Sequence, residues 1–330
     1  MIFAPADLDA FKQAVRGARV LISTHIHPDP DAIGSALAVR EMLLQLGADP
    51  QVLLGDDVPA RLTLLPGAEH IISFPKTAVS ESFHVAVVVD AGGLSRIGDV
   101  QHLIASGALI VNIDHHFSND DFGAVNFVSQ HCAATAEMLY DLLRALDLDL
   151  TQSIANNLFA GLLTDTGRFR YSNTTASVYR MAADLTDAGA EIFRITDAMY
   201  YDIAPADVRS MGAIYSTLEL FADGAISTLF TRLEHLVEDP DTVVDTALSI
   251  RGVKVAVLMS ETWEGKIRVS LRSKSHVNVA VIAESLGGGG HEKAAGFRMR
   301  GTLESVRERL IPILLSALEM TPDTVSIEQV

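Results

Sequence analysis

The 330-residue chain contains one cysteine, Cys132. No intrachain disulfide can form, and a thiolate-rich metal centre is excluded. Any metal has to be held by His, Asp or Glu, a donor set that suits Mn²⁺, Mg²⁺, Co²⁺ or Zn²⁺. Basic residues are scarce as well: 25 Lys and Arg stand against 42 Asp and Glu, a formal net charge of −17. Proteins that track long nucleic acid usually carry a broad basic surface, because phosphate neutralisation dominates that affinity. Long duplex nucleic acid is therefore not expected as a partner, and a short anionic substrate gripped by a few local cations is. No apolar run is long enough to span a bilayer, so no membrane partner is expected. The amino terminus has acids at Asp7 and Asp9 and no basic-then-apolar leader pattern, so a cytoplasmic protein is expected. Repeats and low-complexity segments are missing too. What remains is an ordinary globular composition, 48% hydrophobic and 20% charged, on a chain long enough for two domains with separate cores.

Strands and helices alternate through the first half. The apolar run Val20-Leu21-Ile22 reads as a buried strand that ends in His25-Ile26-His27-Pro28-Asp29-Pro30-Asp31. A helix over 31–46 follows and stops at Gly47. Val85-Ala86-Val87-Val88-Val89 is a continuous run of the kind found in central parallel strands covered on both faces, and it ends at Asp90. Ala108-Leu109-Ile110-Val111-Asn112-Ile113 repeats the design and ends at Asp114-His115-His116. Helices are expected over 133–146, 151–163 and 175–188, with Asp165 and Arg168 just beyond the second. This pattern predicts a doubly wound α/β domain with a parallel sheet over 1–190. A helical linker over 191–220 then leads to a smaller α/β domain over 221–330, which carries Gly287-Gly288-Gly289-Gly290-His291.

Ligands of doubly wound sheets collect outside the carboxyl ends of the strands. An isolated aspartate there ordinarily caps a helix or shapes a turn. Here His25, Asp29, Asp31, Asp90, Asp114, His115, His116 and Asp165 all fall at or near element ends. So many carboxylates on one sheet edge repel one another unless cations hold them together. A calcium-binding EF-hand is a rival reading of Asp29-x-Asp31-x-x-Gly34. It requires oxygen side chains at the fifth and twelfth loop positions, where this chain has Ile33 and Arg40.

Asp114-His115-His116, with the His25–Asp31 loop, Asp90 and Asp165 in order, resembles the DHH phosphoesterase superfamily. The group includes RecJ-type exonucleases, nano-RNA and pAp phosphatases, cyclic dinucleotide phosphodiesterases and family II inorganic pyrophosphatases. The resemblance implies two divalent cations, Mn²⁺ first with Mg²⁺ or Co²⁺ as substitutes. One would take His25, Asp29 and Asp90, and the other Asp31, Asp90, His115 and Asp165, with Asp90 bridging. It gives Asp114 an orienting role and sets His116 against the substrate phosphate; a plain structural imidazole is the alternative for His116. His27 occupies a variable motif position and is left out.

The glycine run followed by His291-Glu292-Lys293-Ala294-Ala295-Gly296-Phe297 resembles the DHHA1 domain. No G-x-G-x-x-G follows a strand, so a Rossmann site is rejected. Gly288, Gly289 and Gly290 would let backbone approach a phosphate or base, with His291 bonding it. Ser270-Leu271-Arg272-Ser273 fits the substrate-binding strand, where Arg272 would clamp a phosphate with its planar fork beside Ser273. Arg168 is a weaker candidate for the same task and Arg298 a weaker one still. The resemblance favours the nano-RNA and pAp phosphatase branch, with short oligoribonucleotides and pAp as substrates, a cleft between the domains, and a homodimer as one expected assembly. Cyclic or linear dinucleotides are the alternative substrates. A non-catalytic nucleotide-binding regulator is the rival from another class, and no lost ligand favours it.

Overall fold

The computed structural model describes residues 3–74, 82–237 and 239–319. The chain separates into two compact units, Met1–Asp202 and Ile203–Val330. The division falls within the stretch 191–220 expected as a linker, whose helices therefore belong to different units. The outermost residues of both expected domains, 1–2 and 320–330, lie outside the described residues.

The first unit runs α1 (Pro5–Val15), β1 (Arg19–Ser23), α2 (Pro30–Gln45), β2 (Asp49–Leu54), β3 (Ile71–Ser73), β4 (Phe83–Val89), β5 (Ile104–Asp114), β6 (Val125–Val128), α3 (Thr135–Ala145), α4 (Gln152–Asp165), α5 (Ala176–Asp187) and α6 (Ile192–Tyr200). Its sheet has the order β3-β2-β1-β4-β5-β6, and every neighbouring pair is parallel. The continuous apolar strands follow from cover on both faces. Val20 and Ile22 of β1 join Val87 and Val89 of β4 in one core, while Leu21, Ala86 and Val88 join the core on the other face. β2 lies to one side of β1 and β4 to the other, so the strand order reverses between β1 and β4. That reversal opens a crevice at their carboxyl ends. The short strands β3 and β6 were not expected: with three and four residues, neither shows a pattern of its own.

The second unit runs α7 (Pro205–Tyr215), β7 (Glu219–Phe221), β8 (Ile226–Thr231), α8 (Pro240–Leu248), β9 (Val255–Glu261), β10 (Lys266–Ser273), α9 (Val279–Ser285), β11 (Gly289–His291), β12 (Ala294–Arg300) and α10 (Leu303–Glu319). Its sheet has the order β11-β12-β10-β9-β8-β7. Only β8 and β9 pair in parallel among these neighbours. One face packs on Val279, Ile282, Val306 and Leu310 of α9 and α10. The other packs on Val243, Val244 and Ala247 of α8. The end of the glycine run is an edge strand rather than a loop, and α8 was not expected. Among the described residues no helix is long and apolar enough to cross a membrane.

Candidate active site

The crevice gathers all eight residues named above from this unit. His25 lies two residues past β1, and Asp29 caps α2 by accepting the Ala32 N–H at 2.9 Å. Asp31 stands in the first turn of that helix, and Asp90 follows β4 directly. Asp114 ends β5, with His115 and His116 next, and Asp165 ends α4.

Asp90 is the pivot. Its backbone is in the left-handed region at φ 52, rare for a residue with a side chain. The N–H is held by the Ile113 carbonyl at 2.9 Å, so the sheet enforces this conformation. The two carboxylate oxygens then face different groups. Oδ2 lies 3.5 Å from His25 Nε2, and Oδ1 lies 3.6 Å from His115 Nε2. The Thr135 hydroxyl donates to Oδ1 at 2.9 Å.

Asp31 is fully buried. Oδ2 accepts the Thr135 N–H at 2.7 Å, and Oδ1 accepts the Ala136 N–H at 3.0 Å. These are amino-terminal groups of α3, where N–H groups have no partner within the helix and favour negative charge. The approach depends on two glycines. A Cβ on Gly161 would lie 2.2 Å from Asp31 Oδ1, and one on Gly34 would lie 2.2 Å from the Asn157 carbonyl. Without side chains there, α2 and α4 cross almost backbone to backbone and deliver Asp31 to the crevice.

The three imidazoles share one arrangement. His25 Nδ1 lies 2.9 Å from the Ile26 carbonyl, His115 Nδ1 3.4 Å from the Cys132 carbonyl, and His116 Nδ1 2.6 Å from Asp114 Oδ1. Carbonyl and carboxylate oxygens only accept, so each Nδ1 carries the proton and each Nε2 is left for other work. This is how metal-binding histidines are commonly oriented by outer partners. His25, Asp29 and Asp90 form one group whose ligand atoms lie within 4.8 Å of one another, and Asp31, Asp90 and His115 form another. Asp165 Oδ2 lies 3.3 Å from His115 Nε2. Asp29 is the open member, with half its side chain exposed.

Without cations, protons balance the buried charge. Burial alone would lower the His25 pKa, but its hydrogen bond to Asp90 and the charges of Asp29 and Asp90 raise it to about 9. His115 is raised too: burial opposes its charge, while the Asp165 hydrogen bond and the charges of Asp165, Asp90 and Asp31 prevail. For His116, burial again opposes, and Asp114 and Asp90 outweigh it. Asp31 is pushed well up by burial and by repulsion from Asp90 and Asp165. Asp90 goes the other way: burial would raise it, but the His25 hydrogen bond and the three imidazolium charges hold it far below the ordinary carboxylate range. A divalent cation would supply the same positive charge from a fixed point, displacing those protons. Oxygen and imidazole donors in these numbers fit Mn²⁺ or a similar ion.

The second unit places two of its candidates, Arg272 and His291, on one face of its sheet, while Ser273, next to Arg272 in β10, points to the other. Arg272 of β10 and His291 of β11 are both in register with Ala294 of β12, one on each side of it. Residues in one cross-strand row point to the same face, so the two flank a small side chain at about 10 Å, two strand spacings. Arg272 Nη2 lies 2.8 Å from Asp241 Oδ1, and its Nε lies 3.5 Å from Asp245 Oδ1. The Ser273 hydroxyl accepts the Ser275 N–H at 3.2 Å and shapes the turn after β10. The glycines divide by role. A Cβ on Gly288 would lie 2.1 Å from the Gly296 carbonyl, and one on Gly290 would lie 2.6 Å from the Ala294 carbonyl. The space beside Gly289 is open. Gly288 and Gly290 are thus explained by sheet packing, and Gly289 is where a ligand could approach the backbone.

The DHH family, N-terminal domain, matches residues 19–164, and the DHHA1 domain matches residues 237–319. The bifunctional oligoribonuclease and PAP phosphatase NrnA of Thermus thermophilus is 35% identical over 308 residues, 90% of this chain and 92% of that protein. The chain belongs to the DHH family. A probable bifunctional oligoribonuclease and PAP phosphatase NrnA of Streptococcus mutans is 28% identical over 84% of this chain and 88% of its own length. The solved structure of an exopolyphosphatase-related protein from Bacteroides fragilis superposes with a TM-score of 0.85, at 25% identity and 96% coverage of both chains. This chain is a DHH-family phosphoesterase with a DHHA1 domain.

Within the DHH unit, Arg168 is engaged with a neighbour: its guanidinium lies 4.6 Å from the centre of the Tyr200 ring. Gly167, Arg168 and Phe169 all have positive φ, a tight left-handed turn just past Asp165. The residues that sequence reasoning missed are the supports: Thr135 and Ala136, which hold Asp31 and Asp90, and Gly34 and Gly161, which let the helices close. The pair of small residues on facing helices was the available signal.

Proposed function

We propose that this phosphoesterase hydrolyses short oligoribonucleotides to mononucleotides and removes the 3′-phosphate of pAp, using two divalent cations with Mn²⁺ as the preferred metal and Mg²⁺ or Co²⁺ as substitutes. The observation behind this reading is the division of Asp90, whose Oδ2 faces the His25 set while its Oδ1 faces the His115 set. His25, Asp29 and Asp90 would hold one ion, and Asp31, Asp90, His115 and Asp165 the other. Bound there, such ions would supply a water of lowered pKa and positive charge against the phosphoryl oxygens.

The chain's own groups do the rest. Asp114 holds the His116 Nδ1–H, which directs Nε2 toward the reacting phosphate. As the P–O bond to the leaving nucleoside breaks, protonated His116 donates its Nε2 proton to the departing oxygen. In the DHHA1 unit, Arg272 binds a nonbridging phosphate oxygen pair with its fork, in partial exchange for Asp241. His291 and the Gly289 backbone take the rest of the nucleotide. Arg168 is assigned to steadying the turn after Asp165 on Tyr200, with the sugar–phosphate of a longer substrate as its further contact. The protein is assigned to the cytoplasm and, as one assembly, to a homodimer; sedimentation of the purified chain tests the latter.

The deciding experiment offers purified protein with Mn²⁺ the substrates pApA, pAp, a long RNA, cyclic-di-AMP and pyrophosphate. Rapid cleavage of pApA and pAp with little of the long RNA is the expected result. Preference for cyclic-di-AMP would move the assignment to a cyclic dinucleotide phosphodiesterase, and cleavage of pyrophosphate alone would sink it. No turnover of any substrate would favour a nucleotide-binding regulator.

A further inference from the structure

Behind Asp114 stands a ladder of three asparagine side chains whose direction is fixed. Asn126 Oδ1 accepts the Gly123 backbone N–H at 3.0 Å, and Asn119 Oδ1 accepts the Asp121 backbone N–H at 2.8 Å. A backbone N–H can only donate, so both amide oxygens are identified without ambiguity. Asn112 Nδ2 then donates to Asn126 Oδ1 at 3.0 Å and to Asn119 Oδ1 at 2.9 Å. With its oxygen so occupied, Asn119 can present only Nδ2 to Asp114. It donates to Asp114 Oδ2 at 2.6 Å, and the other oxygen of that carboxylate takes the His116 Nδ1 contact at 2.6 Å. Asn112 and Asp114 are fully buried and Asn119 and Asn126 half-buried, so the bonds at the Asp114 end form with limited competition from water. Gly123 has a matching constraint: a Cβ there would lie 2.9 Å from Asn126 Oδ1 and 3.0 Å from Asn112 Cβ.

We propose that Asn119 is a positioning residue for phosphoester cleavage, acting through Asp114 to hold the His116 ring with Nε2 toward the leaving oxygen. The inference rests on the reading of His116 as proton donor. Asn119 Nδ2 reaches Asp114 at 2.6 Å and the Ala91 carbonyl and Asn112 Oδ1 at 3.3 Å, none of them a residue assigned to metal; it fixes which way the Asp114 carboxylate faces. Turning that carboxylate would release the ring, and a leaving alkoxide would depart without its proton.

The test compares two leaving groups. The nucleoside oxygen released from pApA needs a proton, whereas p-nitrophenolate released from the p-nitrophenyl ester of thymidine 5′-phosphate does not. Asn119→Ala removes the donor, and Asn119→Asp keeps the size but sets an acceptor against Asp114. Each variant is expected to lower kcat for pApA by about 10–100-fold, the range seen when an outer partner of an active-site group is removed. KM and bound Mn²⁺ should stay unchanged, and turnover of the p-nitrophenyl ester should fall by less than about threefold of its own rate. Asn119→Gln, which keeps the donor, is expected to recover part of the pApA rate. Equal losses on both esters, loss of Mn²⁺, or no loss on pApA would overturn the role. Failure of the substrate reading is separable: there the wild-type protein itself leaves pApA and pAp uncut, and the role falls with it.

Discussion

In the DHH unit, Asp31, Asp90 and Asp114 are almost wholly buried, and each already accepts hydrogen bonds from the protein. In the DHHA1 unit, Arg272 and His291 are only partly buried, in one cross-strand row of a sheet. The difference separates a cluster held by buried hydrogen bonds from a pair of residues that stay partly accessible. Buried carboxylates left without partners would be too costly to keep, and α3, Thr135 and the asparagine ladder supply those partners from the protein itself. Arg272 instead leans on Asp245, which is largely covered, and on Asp241, whose side chain is 58% exposed and is the weaker hold of the two.

Breaking the built side should have the largest effect. Asp90→Asn keeps the shape but removes the shared charge, and kcat for pApA should fall by on the order of 1,000-fold with loss of bound Mn²⁺. Steady-state kinetics with metal analysis of the same sample measure both, and a variant that retains metal and rate would contradict the role of Asp90. Gly161→Ala comes next. Its methyl would lie 2.2 Å from Asp31 Oδ1, and overpacking of this kind costs roughly 1–3 kcal/mol. Denaturant titration should show that loss together with weakened Mn²⁺ binding; an unchanged midpoint would show that the two helices separate freely.

On the partly accessible side, Arg272→Ala should raise KM for pApA by about tenfold while kcat and metal content hold, as expected for one charge-assisted phosphate contact. A fall in kcat with constant KM would move Arg272 out of substrate binding. Smaller effects come from pH. His25 titrates near 9 in the fold against about 6.5 in an unfolded chain, so its contribution to the metal-free protein is complete below pH 6.5 and lost as pH rises through 9. Melting curves of metal-stripped protein should therefore decline over that window, while Mn²⁺ affinity climbs because the ion needs the neutral ring. A flat or rising melting temperature would contradict the sign. An effect that does not touch activity is at Cys132, where burial pushes the thiol up to about 11. Alkylation at pH 8 should run roughly 100-fold slower than for an ordinary cysteine, and a rapid reaction would place that segment elsewhere.

The same contrast explains what could be read from the sequence. β1, β4 and β5 announce themselves because cover on both faces demands unbroken apolar runs, and the residues that gather in the crevice sit directly at their ends. His25, Asp90 and His115 were legible for that reason. Asn119 was not, because an asparagine three residues past His116 looks like any loop former. Its meaning depends on β6 pairing with β5 and bringing Asn126 beside Asn112, and β6 is only four residues long. Gly161 likewise looks like a weak point in a helix until Asp31 is seen against it. In the second unit, Arg272 could be named, but Asp241 and Asp245 belong to α8, a nine-residue helix whose apolar Val243, Val244 and Ala247 are too few to stand out. Pairings between distant short elements leave no local pattern, and the support of both sites rests on such pairings.

The account turns on one carboxylate serving two cations. Mn²⁺ titration of the purified chain, followed by electron paramagnetic resonance, measures this directly. Two Mn²⁺ per chain with an exchange-coupled spectrum are expected, and loss of the coupling in Asp90→Asn. A single ion at saturation, or two ions with independent spectra in the wild-type protein, would contradict it.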